Sequence, residues 1–417
     1  MTGHRELSAH KRVSRRGVLT AGGAAVLGGA AAMAITGNVK STGDGRGTRQ
    51  ATEDRNATPS QLVIPVDQLA GSDDERILAI NERTKQAAGK GVPVFEFNNR
   101  VYTISTPIRL YSGLKLMGSA GLPAREYGSG TTIRWAGPPE TSTFVFPSEG
   151  QTGQKYPTDG SPRDISMSGL LFEGGSRTDV FPRLAMTGDY VGRTLWYCNL
   201  HNLGVRDMRT FWWGYGTGVS LTGTFHAQSM SDTPLFIGGS DNTIFGTEAQ
   251  SFMDNSSVAW EVSGKPFIRT VMSKSYIGRV IISARSDSYH VSVEGGQGLF
   301  IDGAQFDAPS GSPTSGRAIS VSNVDGLTIS NCSFYSGMVN PGENSRGIID
   351  ISQGRHVVIQ GNQFIAGSTE LQPSNTVLVQ NSGPDPVKMA MNGFPGYSGI
   401  VRGDVISPDP GIRVEPL

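Results

Sequence analysis

"DGLTISNCSF" (325–334) is the stretch on which the architecture of this chain turns. Leu327 and Ile329 alternate with small polar residues, Asn331 intervenes, and Phe334 closes the phrase. Such alternation describes a short strand with one buried face. The phrase recurs. "GLFIDGAQF" (298–306) and "HVVIQGNQF" (356–364) share its template: apolar positions two apart, then Gly or Asn, then Phe. The first apolar positions are Leu299, Leu327 and Val357, at steps of 28 and 30 residues. An earlier relative, "DISMSGLLF" (164–172), runs Ile165, Met167, Gly169, Phe172.

Each copy carries a second strand eight residues upstream. Val291 and Val293 precede Leu299, Ile319 and Val321 precede Leu327, and Ile349 and Ile351 precede Val357. The same offset sets Trp260 and Val262 before Ile268, and Leu195 and Tyr197 before Leu203. A fixed offset inside a loosely fixed period means two strands joined by a tight corner and stacked copy on copy. Periods of 20–50 residues mark solenoids. Short strands with Gly, Asn, Ser or Asp at the corners make this one an all-β parallel β-helix.

Bulk properties agree. The chain has 417 residues, 17% of them charged, and a formal net charge of zero. Zero net charge argues against nucleic acid or an anionic membrane as the partner. Glycine, at 56 residues, exceeds its usual share of about 7%. No break in composition divides 92–380, so residues 61–417 are read as one domain.

"SRRGVLTAGGAAVLGGAAAMA" (14–34) opens on the twin arginines Arg15 and Arg16, continues with a weakly apolar run and ends on Ala32-Met33-Ala34. This resembles a twin-arginine (Tat) export signal, here assigned to residues 1–36. The resemblance implies a folded protein that is exported, secreted and free of the membrane once the signal is cleaved; retention as a single anchor is the alternative. Residues 37–60 are polar and patternless, a flexible linker. The two cysteines, Cys198 and Cys332, lie several coils apart and are read as packing residues.

"SDDERILAINERTKQAAGKG" (72–91) carries Ser72 and Glu75 at capping-box spacing and Ile77, Ile80 and Ala87 on one face. It predicts a helix over about 72–90 that covers the open end of the first coil. The strands that follow, Val94-Phe95-Glu96-Phe97, Tyr102-Thr103-Ile104, Pro107-Ile108-Arg109-Leu110 and Leu114-Lys115-Leu116-Met117-Gly118, complete the pattern. Helix and strands together resemble the start of the pectate-lyase-type right-handed β-helix superfamily, which includes polysaccharide lyases, glycoside hydrolases and tailspike depolymerases. The resemblance covers about 72–380. Where relatives place Pro-x-Gly before the tyrosine, this chain has Asn98-Asn99-Arg100, a corner change. The resemblance implies an extracellular polysaccharide as partner, and leaves a trimer open.

Catalytic signatures are missing. Neither an Asp pair with Gly-His-Gly nor Arg-x-Pro-x-x-Arg occurs. Candidates therefore come from outward strand positions and corners. On the upstream strand the outward residues are read as Trp196, Glu261, Ser292, Ser320 and Asp350. Glu261 and Asp350 are then about 14 Å apart at about 4.8 Å per rung, too far for a hydrolase pair.

"LGVRDMRTFWWGYGTG" (203–218) is read as a long corner that offers a sugar-binding surface. Arg206, Arg209, Trp212, Trp213 and Tyr215, with Glu261, form the substrate-binding set; an aromatic plug with solvated arginines is the bland alternative. The catalytic set is Lys274, Arg285 and His290 from "SKSYIGRVIISARSDSYH" (273–290), together with Asp207. Tyr276, Arg279, Asp287 and Tyr289 lie in the same stretch, and solvated edge charges are its bland alternative. His201 and His226 are read as structural. Asp232 and Asp241 could bind calcium but lack a dense acidic cluster, and nothing has zinc-ligand spacing, so no metal or cofactor is assigned and calcium stays an unsupported alternative.

The preferred function is a lyase acting on an acidic, uronate-containing glycan by β-elimination. A glycoside hydrolase and a non-catalytic glycan-binding or surface structural protein are the alternatives. Convergence of 206–215 and 273–290 on one groove would favour an enzyme.

Overall fold

The computed structural model describes residues 62–87, 89–119, 130–147, 162–183, 194–228, 230–245, 265–279, 281–283, 289–307, 318–335, 347–365, 377–393, 400–407, 409 and 412–417. The segments read as an export signal and a linker, and with them Glu261, Arg285 and Asp287, lie outside the described residues. Among those described, no helix is long and apolar enough to cross a membrane.

Three main parallel sheets, with a two-stranded one (Ile108–Arg109 with Phe144–Val145) in the first coils, wind into a right-handed β-helix. One coil shows the plan. Ile319–Val321 belongs to a ten-stranded sheet, Val324–Ser330 to a fifteen-stranded long sheet, and Ser333–Tyr335 to a third sheet of four strands. The next coil repeats it with Ile349–Ile351, Gly354–Gln360 and Gln363–Ile365. The repeat in the sequence is the register of the fold. Leu299 pairs with Leu327 and Leu327 with Val357, while Val291, Ile319 and Ile349 form the matching column.

The corner after each long-sheet strand takes a left-handed residue, Gly303, Asn331 or Gly361 (φ 64°, 53°, 66°). Behind it runs a buried column of Cys332, Asn362 and Asn392. Asn362 Oδ1 accepts from Cys332 N at 2.9 Å, and Asn362 Nδ2 donates to Ile329 O at 3.0 Å. Asn392 repeats this one rung on, donating to Ile359 O and to Asp409 Oδ2. Cys332 stands where the next rungs have asparagine, and burial pushes its thiol up to about 12. The closing phenylalanines stack inside the coil: Phe306–Phe334 at 5.1 Å and Phe334–Phe364 at 4.8 Å, both nearly parallel.

Two readings shift frame. Ile268 pairs with Val291, so Ile268–Ser273 belongs to the ten-stranded sheet and is not the downstream strand expected after Trp260. The outward position given to Glu261 is held by Arg269, opposite Ser292. "DISMSGLLF" also differs, since Ser166–Glu173 is one strand in which Gly169 (φ 63°) is an internal kink, not a corner. Alternation reports which face a residue takes but not which sheet it belongs to.

Helix α1 (Asp73–Ala87) caps the first coil as expected. Ser72 N donates to Glu75 Oε2 at 2.6 Å and Glu75 N to Ser72 Oγ at 3.3 Å, closing the capping box. Ile77 and Ile80 are buried, and Asn81 bonds both Pro107 O and Arg109 N. Arg100 clamps the junction, pairing with Asp67 at 2.7 Å and Asp73 at 2.8 Å. The Arg100 hydrogen bond lowers the Asp67 carboxyl; at Asp73 burial opposes, but Arg100 and Thr103 N–H prevail and lower it too.

Carboxyls lowered in the folded state stabilise it above their unfolded values near 3.9 and lose that contribution as pH falls through the folded values. The thermal midpoint is therefore expected to fall from pH 4 to pH 2. The fall should be smaller in Arg100→Met, in which the clamp is already absent at neutral pH.

Candidate functional site

Where each ten-stranded-sheet strand turns into the long sheet, the surface is hollowed. Two adjoining cavities of about 480 and 430 Å³ share Gly296 and Asn323. Together they form a groove that crosses seven rungs from Tyr215 to Asp385, about 29 Å at about 4.8 Å per rung. Its floor is bare because the coils touch there. Gly296 takes φ 113°, and a Cβ on it would lie 1.9 Å from Met272 O. Two rungs earlier, Gly239 meets Gly216 O in the same way. At these two glycines side chains are thus excluded from the floor.

The upper wall holds Tyr215, Ser273 and Glu294. Arg269 Nε donates to Glu294 Oε1 at 2.6 Å while its guanidinium lies 4.2 Å over the Phe236 ring. Ser292 Oγ donates to the same carboxylate, and Ser320 Oγ to Ser292 Oγ at 3.0 Å. The lower wall holds Asp325, Arg355 and Asp385. Asp325 accepts from His356 Nδ1 at 2.8 Å and from Arg355 at 3.2 Å. The His356 hydrogen bond is the main reason the Asp325 carboxyl lies below its ordinary value; slight burial opposes it and Arg355 assists. Asp325 is therefore an anion at neutral pH, and His356 must carry its proton on Nδ1 to donate to it.

The two stretches singled out by sequence meet here only in part. Tyr215 and Ser273 line the same cavity. Lys274, exposed and left-handed at φ 48°, follows Ser273 on the rim, its N–H donating to Gln297 O at 2.7 Å.

Trp212–Thr217 is a strand, not a corner, and adjacent residues face opposite ways. Trp212 is fully buried, its Nε1 donating to Gly214 O at 3.0 Å, so it is core and not a sugar platform. Trp213 faces outward but is covered: Arg183 lies 4.4 Å over its ring and Phe236 meets it edge-on at 4.8 Å. Arg209 is bound to the buried Asp179, which also accepts from Thr210 and Arg183. Arg206 pairs with Glu173 at the end of a long-sheet strand, with Asp207 in the exposed corner beside it. That corner is the far end of the strand from the groove.

His290 is buried, its ring 6.2 Å from Phe306 at the head of the phenylalanine stack; it is a core residue, not a catalyst at the groove. Tyr276 donates to Asp302 at 3.0 Å on the other edge of the long sheet; burial first, then Asp302, pushes its hydroxyl up. Asp232 faces two cations, Lys265 and Arg183 at 3.4 and 3.6 Å, and among the described residues no acidic, His or Cys cluster of three has metal-binding geometry. Sequence reasoning missed Glu294, Asp325, Arg355 and His356. A signal existed for the last: His356 stands where the other two copies have Gly298 and Gly326.

No protein-family model matches this chain, and no curated protein matches it. Among solved structures, the pneumococcal surface adhesin PfbA (Streptococcus pneumoniae) superposes at a TM-score of 0.44 with 10% identity, over 85% of this chain and 90% of that one. The catalytic unit of a GH87 α-1,3-glucanase from Streptomyces thermodiastaticus gives 0.42 and 13%, over 86% and 68%. Geobacillus virus E2 ORF18 gives 0.39 and 12%, over 85% of this chain, which spans 60% of that protein's length. Likenesses this distant carry no argument about function; the parallel register above carries the fold.

Proposed function

We propose that this chain is an exported β-helix protein that binds an acidic, uronate-containing polysaccharide along the groove and cleaves it by β-elimination. One observation carries the reading: a groove crossing seven rungs, bare-floored, with hydroxyls, carboxylates and cations on its walls. An open trough of that length takes a chain of sugars rather than one small molecule. Arg355 and Lys274 supply positive charge for uronate carboxylates, and Tyr215 a ring face for a sugar. β-Elimination needs a neutralised carboxylate and a base beside it, which Arg355 and its titratable neighbours provide.

A second reading, a glycan-binding protein without turnover, is favoured by the hydroxyl ladder Ser292–Ser320 that extends beside the upper wall. The full chain incubated with a panel of acidic polysaccharides separates the readings. Ultraviolet absorbance rising together with reducing ends is the expected result. Reducing ends alone would indicate a hydrolase. Neither, with retention on one immobilised glycan, would establish the binding protein.

A further inference from the structure

Where successive coils enter the long sheet, just past the groove, a column of left-handed residues runs through Asp241, Lys274, Gly298, Gly326 and His356. Gly298 and Gly326 take φ 66° and 77°, flanked in register by Gln297↔Asp325 and Leu299↔Leu327. At the next rung the residue is His356, at φ 53°. Glycine adopts this conformation freely; a side chain with a Cβ does not. Asp241 and Lys274 hold the same conformation at earlier rungs of this column, so the backbone does not single His356 out; its surroundings do. Asp325 on the preceding rung takes the Nδ1 proton at 2.8 Å, and the ring is 81% exposed. The Nε2 lone pair is therefore the part left for solvent or ligand. Arg355, the residue before it, lines the groove and spends one nitrogen on Asp325, keeping further N–H donors of its planar fork.

We propose that His356 is the general base of this groove, with Asp325 as the residue that positions its ring and Arg355 as the partner of the substrate carboxylate. The assignment rests on the lyase reading above and deepens it. Nε2 takes the proton from C5 of a uronate whose carboxylate is paired with Arg355. The C–H electron pair becomes the C4=C5 double bond, and the C4–O bond breaks. The departing glycosidic oxygen takes the proton back from the imidazolium and leaves as a hydroxyl, so no oxidant or further reactant is consumed. Asp325 stays ionised throughout. The charged groups facing the imidazole are Asp325 from the preceding rung and Arg355 on its own strand, with Asp385 of the following rung lining the same cavity.

The test uses His356→Gly in the full chain, a substitution that the fold already makes at Gly298 and Gly326. Unsaturated-product formation is expected to fall about 10²–10⁴-fold, the usual range for a removed general base. The thermal midpoint should hold or rise and glycan retention should persist, and added imidazole should restore part of the rate. In Asp325→Asn the rate of unsaturated-product formation should fall with KM unchanged, and Asp325→Glu should restore part of it. Wild-type chain forming unsaturated ends while His356→Gly forms them equally fast would overturn the His356 assignment and leave the lyase reading standing. Wild-type chain that forms none would overturn both. An unchanged rate in Asp325→Asn would remove Asp325 from its positioning role.

Discussion

Phe334→Ala is expected to cost about 3–5 kcal/mol of folding stability, the range for emptying an aromatic site in a packed core. Phe334 is fully buried and sits between Phe306 and Phe364 at 5.1 and 4.8 Å, so no neighbouring side chain can swing in without giving up its own stack. A solenoid couples each rung only to the next, so the loss is felt on both sides of the gap. Denaturant unfolding should show a lowered midpoint and, with the stack divided, a less cooperative transition. Phe300→Ala is the control. Phe300 projects from the long sheet and is 49% exposed, so its removal should stay within about 0.5 kcal/mol. Equal losses from the two variants would mean that the stack is not what ties these coils together.

Asp179→Ala should cost a similar amount for a different reason. The side chain is 4% exposed and takes hydrogen bonds from Arg209, Thr210 and Arg183. Removing one partner of a buried ion pair leaves the other charge unpaired in a poorly solvated place, which costs about 3–5 kcal/mol. The double variant Asp179→Ala/Arg209→Met removes both charges and should recover part of that loss. A double variant no better than the single one would show that Asp179 acts through Thr210 and the local backbone alone. Glycan retention is the second readout. Arg209 is committed to Asp179, so retention on an acidic glycan should be unchanged in Arg209→Met wherever the chain remains folded.

The repeat was legible because the core demands it. Leu299, Leu327 and Val357 occupy one column, and sequence spacing alone placed them there. The helix cap was legible from Ser72, Glu75 and the spacing of Ile77 and Ile80. The site was not, and the reasons are physical. "WWGYG" reads as a loop platform by composition, yet a strand must bury one tryptophan of an adjacent pair, so Trp212 was never free to stack on a sugar. His290 stood in the expected stretch but heads the phenylalanine stack. Arg206 and Arg209 reached acidic partners 33 and 30 residues away, Glu173 and Asp179, which no local pattern announces. Asp325 lay in the opening phrase throughout, its importance hidden until the next rung placed His356 against it.

The left-handed column already carries side chains at Asp241, Lys274 and His356, and has a use beyond them. A Cβ on Gly298 would meet nothing within 4 Å, and one on Gly326 would find its nearest atom at 3.5 Å. The only expense of a side chain there is the backbone conformation itself, about 1–2 kcal/mol. Gly298 and Gly326 are thus vacant sockets on a pegboard of fixed pitch, into which a single codon change mounts a new functional group beside the trough while the scaffold stays as it was. Asparagine, which tolerates this conformation best and already occupies it at Asn202, is the natural first peg for anyone re-equipping the molecule.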